Sequence, residues 1–421
     1  MAGFIATLRS GDWLTGERLR LMPFAVLIMS VFAIVYVVAT SDGLNDYQGR
    51  PLGSDFSNVY AAGSLVHDGH AEAAYDWRQH HAREQVIFGA RTPFYGWHYP
   101  PFFLFVAGAL ATLPYPIALL VWQIATLVLY LIAMRAIVLS SPPAAKTDLK
   151  TWMWLLPTLA FPAVLVNLGH GQNGFLSAAL IGGALALLER RPVVAGLLFG
   201  LMAYKPQFGC MIPFALVAGG QWRAFAAAGV TVAALALITT LVFGIGVWNA
   251  FLDSLHLSRT IVLEEGGTGW HKIQSVFSWV RAWGGSIGLA YAAHGAVALA
   301  VAVALVRLWR SEAAYPLKAA ALALATVIAT PYSLDYDLMM LAPTIAFLTV
   351  HGLRRGFAPW EISALALLWL VPLLARSFAE FAFVPLGVWA MLLMFMLIIR
   401  RAADQPQALA GKPRLTAGKV A

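Results

Sequence analysis

Two ionisable side chains stand where an apolar sequence gives them little reason to be. Asp55, in Ser54-Asp55-Phe56-Ser57-Asn58, follows a long polar interval, and Lys205 precedes a proline inside an otherwise apolar stretch. A carboxylate can take the proton of an attacking hydroxyl, and an ammonium is a compact charge for a phosphate. The turn His170-Gly171-Gln172-Asn173 offers an imidazole and two amides, suited to sugar hydroxyls or an anion. Further cations are Arg259, His271 and Lys272, and Tyr99, Tyr332 and Tyr336 can stack on sugar rings. Asp335 and Asp337, two apart on a turn, are a weak signal for a metal. Each group also has a plainer reading: Ser54 or Asp55 as a helix cap, Lys205 snorkelling to an interface, the aromatics as interfacial anchors.

The elements that must position these groups are dictated by composition. Of 421 residues 60% are hydrophobic and 11% charged, with mean hydropathy +0.73; a water-soluble domain carries about 25% charged residues. The chain is therefore expected to be all-α and polytopic. Apolar runs at 21–40, 116–138, 152–168, 172–189, 193–205, 207–220, 224–246, 285–308, 315–331, 334–351, 358–375 and 380–400 predict about twelve transmembrane helices. Several are short or interrupted by Gly and Pro, which is tolerated where the freed backbone faces protein or a water-filled cavity. The first run is too long for a signal-peptide core and is read as an uncleaved helix. A single cysteine, Cys210, excludes an internal disulfide and a Cys-rich metal site. The +8 charge is a matter of topology rather than of nucleic acid.

With the N-terminus in the cytoplasm, 19 of the 28 basic residues and 7 of the 20 acidic ones fall inside. That bias predicts both termini inside and requires the apolar segment 99–114 to dip into the outer leaflet and return. The layout is then a cytoplasmic N-terminus 1–20, a core 21–345 with a long outer loop 41–115, C-terminal helices 346–400, and a cytoplasmic tail 401–421 expected to be disordered. Within the loop, Val59, Ala62 and Val66 share a face and predict a membrane-lying helix over 54–66. A second helix is predicted near 72–87, with Glu72, Asp76, Arg78, Arg83 and Glu84 as its solvated face. The polar clusters all fall on the outer side, which suggests a one-sided active site. No Walker A, GxGxxG or HExxH pattern is present.

In order and spacing these pieces resemble the membrane glycosyltransferases of the GT-C superfamily that use polyprenyl-phosphate sugars, most closely glycosyltransferase family 87 with its bacterial α-1,2-mannosyltransferases. The matching stretches are Ser54 to Gly63 with Tyr75-Asp76, Tyr99-Pro100-Pro101-Phe102 with Leu113-Pro114-Tyr115-Pro116, Gly171-Gln172-Asn173, Ala195-Gly196 through Lys205-Pro206, Gln274-Ser275, and Pro331-Tyr332-Ser333 with Asp335. The resemblance implies a GT-C core in a bacterial inner membrane, with a periplasmic active site and membrane-lying helices in the first periplasmic loop. Its catalytic carboxylate is Asp55 on this sequence, and no metal or other cofactor is implied. The implied substrates are a polyprenyl-phosphate-linked hexose, mannose by default, and a glycolipid or glycan acceptor, with membrane lipids as surroundings. Donor contacts are sought among Lys205, His271, Lys272, Arg259, His170, Gln172, Asn173, Tyr99, Tyr332 and Asp335. Arabinosyl or glucosyl transfer, polymer ligation and transport of a sugar-lipid remain alternatives. A transporter should carry an internal repeat, and neither the Asp-Phe-x-x-x-Tyr nor the Tyr-Pro-Pro pattern recurs.

Overall fold

The computed structural model describes residues 2–140 and 151–410. Lys146 and Lys150, expected on the cytoplasmic side, and residues 411–421 of the tail lie outside them. The described chain is all-helical, 77% helix with no strand. Among the described residues seven helices are long and apolar enough to cross a membrane: Arg18–Ala39, Tyr115–Leu139, Trp222–Phe243, Ile287–Arg310, Asp335–Arg355, Glu361–Phe381 and Leu386–Asp404. The pair Met153–Leu159 and Pro162–His170, bent by 45°, makes an eighth when taken as one broken span. The other four of the twelve apolar runs also become helix, but short: Gly174–Leu187, Pro192–Tyr204, Pro206–Ala218 and Tyr315–Ile328. A 14-residue helix such as Gly174–Leu187 rises about 21 Å, against about 30 Å of hydrocarbon.

The helical segments shuttle between two ends. At one end, Arg190 donates to the Ser140 carbonyl, the Trp360 amide to the Arg9 carbonyl, and Arg401 to Glu361. The basic connections found there are those predicted to be cytoplasmic. At the other end, the Asp55 amide donates to the His170 carbonyl (3.0 Å), Gln274 N to Ser333 O (2.7 Å), and Trp283 to Phe383 O (2.8 Å). The polar sequence clusters therefore gather at one pole, although they come from segments far apart in sequence.

The loop before Tyr115 is built differently from its sequence pattern. The helix Phe56–His67 shows no single apolar stripe, because Phe56, Ala61 and Ala62 are all fully enclosed. Gly63 lets it press against Leu104–Ala111, since a Cβ there would stand 2.0 Å from the Ala107 carbonyl oxygen. Neither Ser54 nor Asp55 caps this helix. Asp76 does cap Trp77–Phe88, accepting from the Arg78 and Gln79 amides. Glu84, expected on the solvated face of that helix, is buried instead. Both ends of 99–114 return to the polar pole: Asn173 donates to Tyr99, while Tyr115 donates to the Leu52 carbonyl. The last helix, Leu386–Ala410, continues through part of the tail that was expected to be disordered.

Candidate active site

The site is assembled on the turn after Pro162–His170. Gly171 ends that helix in the left-handed conformation, with φ +64°. Gly53, also at φ +64°, brings the loop chain down onto it; a Cβ on Gly171 would stand 3.2 Å from the Gly53 carbonyl and 2.7 Å from the Phe56 Cβ. Only glycine suits this close approach and this backbone region. The approach delivers Asp55 to the turn.

The Asp55 carboxylate is held rather than capping. Its Oδ2 accepts from Gln172 Nε2 at 2.8 Å, and its Oδ1 accepts from Ser54 Oγ at 3.3 Å and lies 3.7 Å from His170 Nδ1. Ser54 Oγ is itself 3.0 Å from His170 Nδ1. Burial pushes the Asp55 carboxyl up, but the nearby His170 imidazole, with the Gln172 and Ser54 hydrogen bonds, outweighs it and leaves the group below its ordinary range. With its side chain 21% exposed, Asp55 is an ionised carboxylate that a hydroxyl can reach.

Behind Asp55 the amides are fixed by their neighbours. Gln172 Oε1 accepts from the Asn173 amide (3.2 Å) and from the Tyr99 hydroxyl (3.4 Å), which sets its Nε2 toward Asp55. Tyr99 accepts from Asn173 Nδ2 at 2.6 Å, and its ring lies near-parallel to that of Tyr204. Tyr204 donates to the Asn173 carbonyl at 3.2 Å. Asn173 Oδ1 is buried with no partner among the described residues.

Lys205 lies next along, and its ammonium is already engaged. It donates to Asp337 Oδ1 at 2.6 Å, with the two side chains 6% and 2% exposed, and it sits 5.0 Å from the Tyr336 ring centre. Asp337 Oδ2 accepts from the Leu334 amide. The snorkelling expectation therefore fails for Lys205, because its charge is paired inside the protein. Asp335 accepts from the Tyr336 amide and lies 3.7 Å from Arg376, which the sequence reading passed over. An arginine at the outer end of the apolar run 358–375 was the available signal.

The segment carrying His271 and Lys272 is tied to the one carrying Tyr332 and Asp335 by the Gln274–Ser333 hydrogen bond and an isolated bridge between Ile273 and Leu334. Burial, together with the charges of Arg376 and Lys272, holds the His271 imidazole below its ordinary range against the opposing pull of Glu380 and Asp335. Arg259 belongs to a second cluster: it pairs with Glu264 at 3.0 Å, and Tyr291 donates to the same carboxylate.

Another buried carboxyl, Glu84, sits beside the site. Glu84 accepts from the Tyr95 amide at 3.1 Å and from Ser57 Oγ at 3.4 Å, with His80 3.7 Å away. Burial, aided by the nearby Asp55 charge and opposed by those two hydrogen bonds, pushes its carboxyl up to about 8. Burial likewise takes His80 down to about 3. At neutral pH the two are thus a protonated acid and a neutral imidazole. Among the described residues no group of three or more His, Cys, Asp or Glu side chains is disposed to hold a metal ion.

Comparison with curated proteins and with solved structures matches no relative of this chain in either case. Comparison with protein families does give a match, over residues 97–331. This segment includes Tyr99, the His170 to Asn173 turn and Lys205, and leaves Asp55, Asp335 and Arg376 outside. The model matched is that of glycosyltransferase family 87, it covers more than half of the sequence, and this membrane protein therefore belongs to that family and is a glycosyltransferase.

Proposed function

We propose that the enzyme moves a hexose, mannose by default, from a polyprenyl-phosphate-linked donor to a hydroxyl of a lipid or glycan acceptor, with inversion, on the periplasmic side of a bacterial inner membrane. Asp55 is the general base. It takes the acceptor hydroxyl proton as that oxygen bonds to the anomeric carbon, and the bond from that carbon to the phosphate oxygen breaks to release the lipid phosphate. His170 and Gln172 keep the carboxylate ionised and oriented. Tyr99, Asn173 and Tyr332 line the approach for the sugar, and His271 and Lys272 add positive charge near the leaving group. Both termini lie in the cytoplasm.

The observation that carries this reading is that Asp55 caps nothing. A carboxylate relieved of a capping role, yet fastened by an amide and an imidazole at the polar pole, is arranged for chemistry rather than for stability. The basic connections at the opposite pole support a cytoplasmic orientation for that end. The reaction is tested by supplying the purified enzyme with a polyprenyl-phosphate-mannose or, separately, a nucleotide-mannose, and assaying sugar transfer to membrane lipid extract. Transfer from the lipid-linked donor alone is expected. Transfer from the nucleotide sugar alone would overturn the donor assignment.

A further inference from the structure

Around Asp335 and Asp337, the cations differ in how far their hydrogen-bonding capacity is already used. Lys205 is buried and donates to Asp337. Arg376, on the helix Glu361–Phe381, is 42% exposed at its side chain and makes no hydrogen bond among the described residues. Its Nη1 stands 3.7 Å from Asp335 Oδ2, close enough for attraction and too long for a hydrogen bond. The guanidinium is thus aimed at the polar cluster with its fork unspent. A planar fork of this kind suits bidentate binding of a phosphate. Lys272 also has no hydrogen-bond or ion-pair partner among the described residues, but it stands on the single turn Trp270–Lys272.

We propose that Arg376 binds the phosphate of the lipid-linked donor. The proposal rests on the lipid-phosphate donor proposed above and adds the residue that holds it. It places the leaving group on a helix outside the family-matched segment and gives Lys205 the separate task of neutralising Asp337.

The test measures binding of farnesyl phosphate, with farnesol as the uncharged control, to the full-length enzyme in detergent micelles. The wild type is expected to prefer farnesyl phosphate. Arg376→Gln should weaken farnesyl phosphate roughly ten- to a hundredfold, the range for a charge-assisted contact, and leave farnesol unchanged. Arg376→Lys should recover part of the loss. Arg376→Gln binding farnesyl phosphate as the wild type does would overturn the assignment. A wild type that does not distinguish the two ligands would instead overturn the lipid-phosphate donor itself.

Discussion

Gln172 Nε2 donates to Asp55 Oδ2 at 2.8 Å across 117 positions of sequence. The bond joins the loop before Tyr115 to the turn between two membrane helices, and the Asp55 amide on the His170 carbonyl reinforces it. Because Gln172 Oε1 is occupied by Asn173 and Tyr99, the amide cannot flip without losing two contacts. The position of the carboxylate is therefore set by Gln172 and by the buried Asn173 and Tyr99 that hold it in place.

The pairing of Lys205 with Asp337 predicts how each tolerates change. Lys205→Met strands a buried carboxylate and should destabilise the protein by about 3 to 5 kcal/mol, read as thermal unfolding in detergent. Lys205→Met with Asp337→Asn removes both charges and should be more stable than Lys205→Met alone. Equal stability of the single and double variants would mean that the pair is not closed in the folded protein.

Glu84 gives a pH signature. Its carboxyl is raised to about 8 in the folded protein from 4.5, so between those values the folded state holds a proton that the unfolded state has lost. Stability should fall as pH rises through that window. Glu84→Gln keeps an acceptor for the Tyr95 amide and removes the titration, so its melting temperature should decline less between pH 5 and 8. Parallel declines for the two proteins would show that Glu84 does not carry the effect.

Much of the fold was legible because apolar runs and Pro or Gly interruptions report directly on membrane helices; all twelve runs are helical in the structure. Their span count was less so, since Gly174–Leu187 and Tyr315–Ile328 are enclosed by neighbouring helices and their apolar character reports burial in protein as readily as contact with lipid. Asp55, His170, Gln172 and Asn173 were found as separate motifs, and the hydrogen bonds joining them needed the fold. The engagement of Lys205 was not legible, because its partner lies 132 positions away and Asp337 reads equally well as a metal ligand or a cap. Glu84 misled for a similar reason: its helix has charges on several faces, and only the packing of Ser57 and Tyr95 against it shows which face is inside.

Sidedness has its own prediction. In a Cys210→Ala background, cysteines at Gln48 and Arg91, both exposed near the polar pole, should react with a membrane-impermeant maleimide added to intact spheroplasts. Cysteines at Arg191 and Arg355, exposed near the opposite pole, should react only after lysis. The reverse pattern would put the polar pole in the cytoplasm.

The most direct measurement is the transfer rate of Asp55→Asn with a polyprenyl-phosphate-mannose donor. Asn keeps the size of the side chain and an oxygen for Gln172, and no cap is lost because Asp55 makes none. Folding and donor binding should therefore persist, addition of a chelator should change neither protein's rate, and turnover should fall by about 10² to 10⁴, the range that general base catalysis contributes. A folded Asp55→Asn enzyme that transfers sugar at close to the wild-type rate would contradict the account.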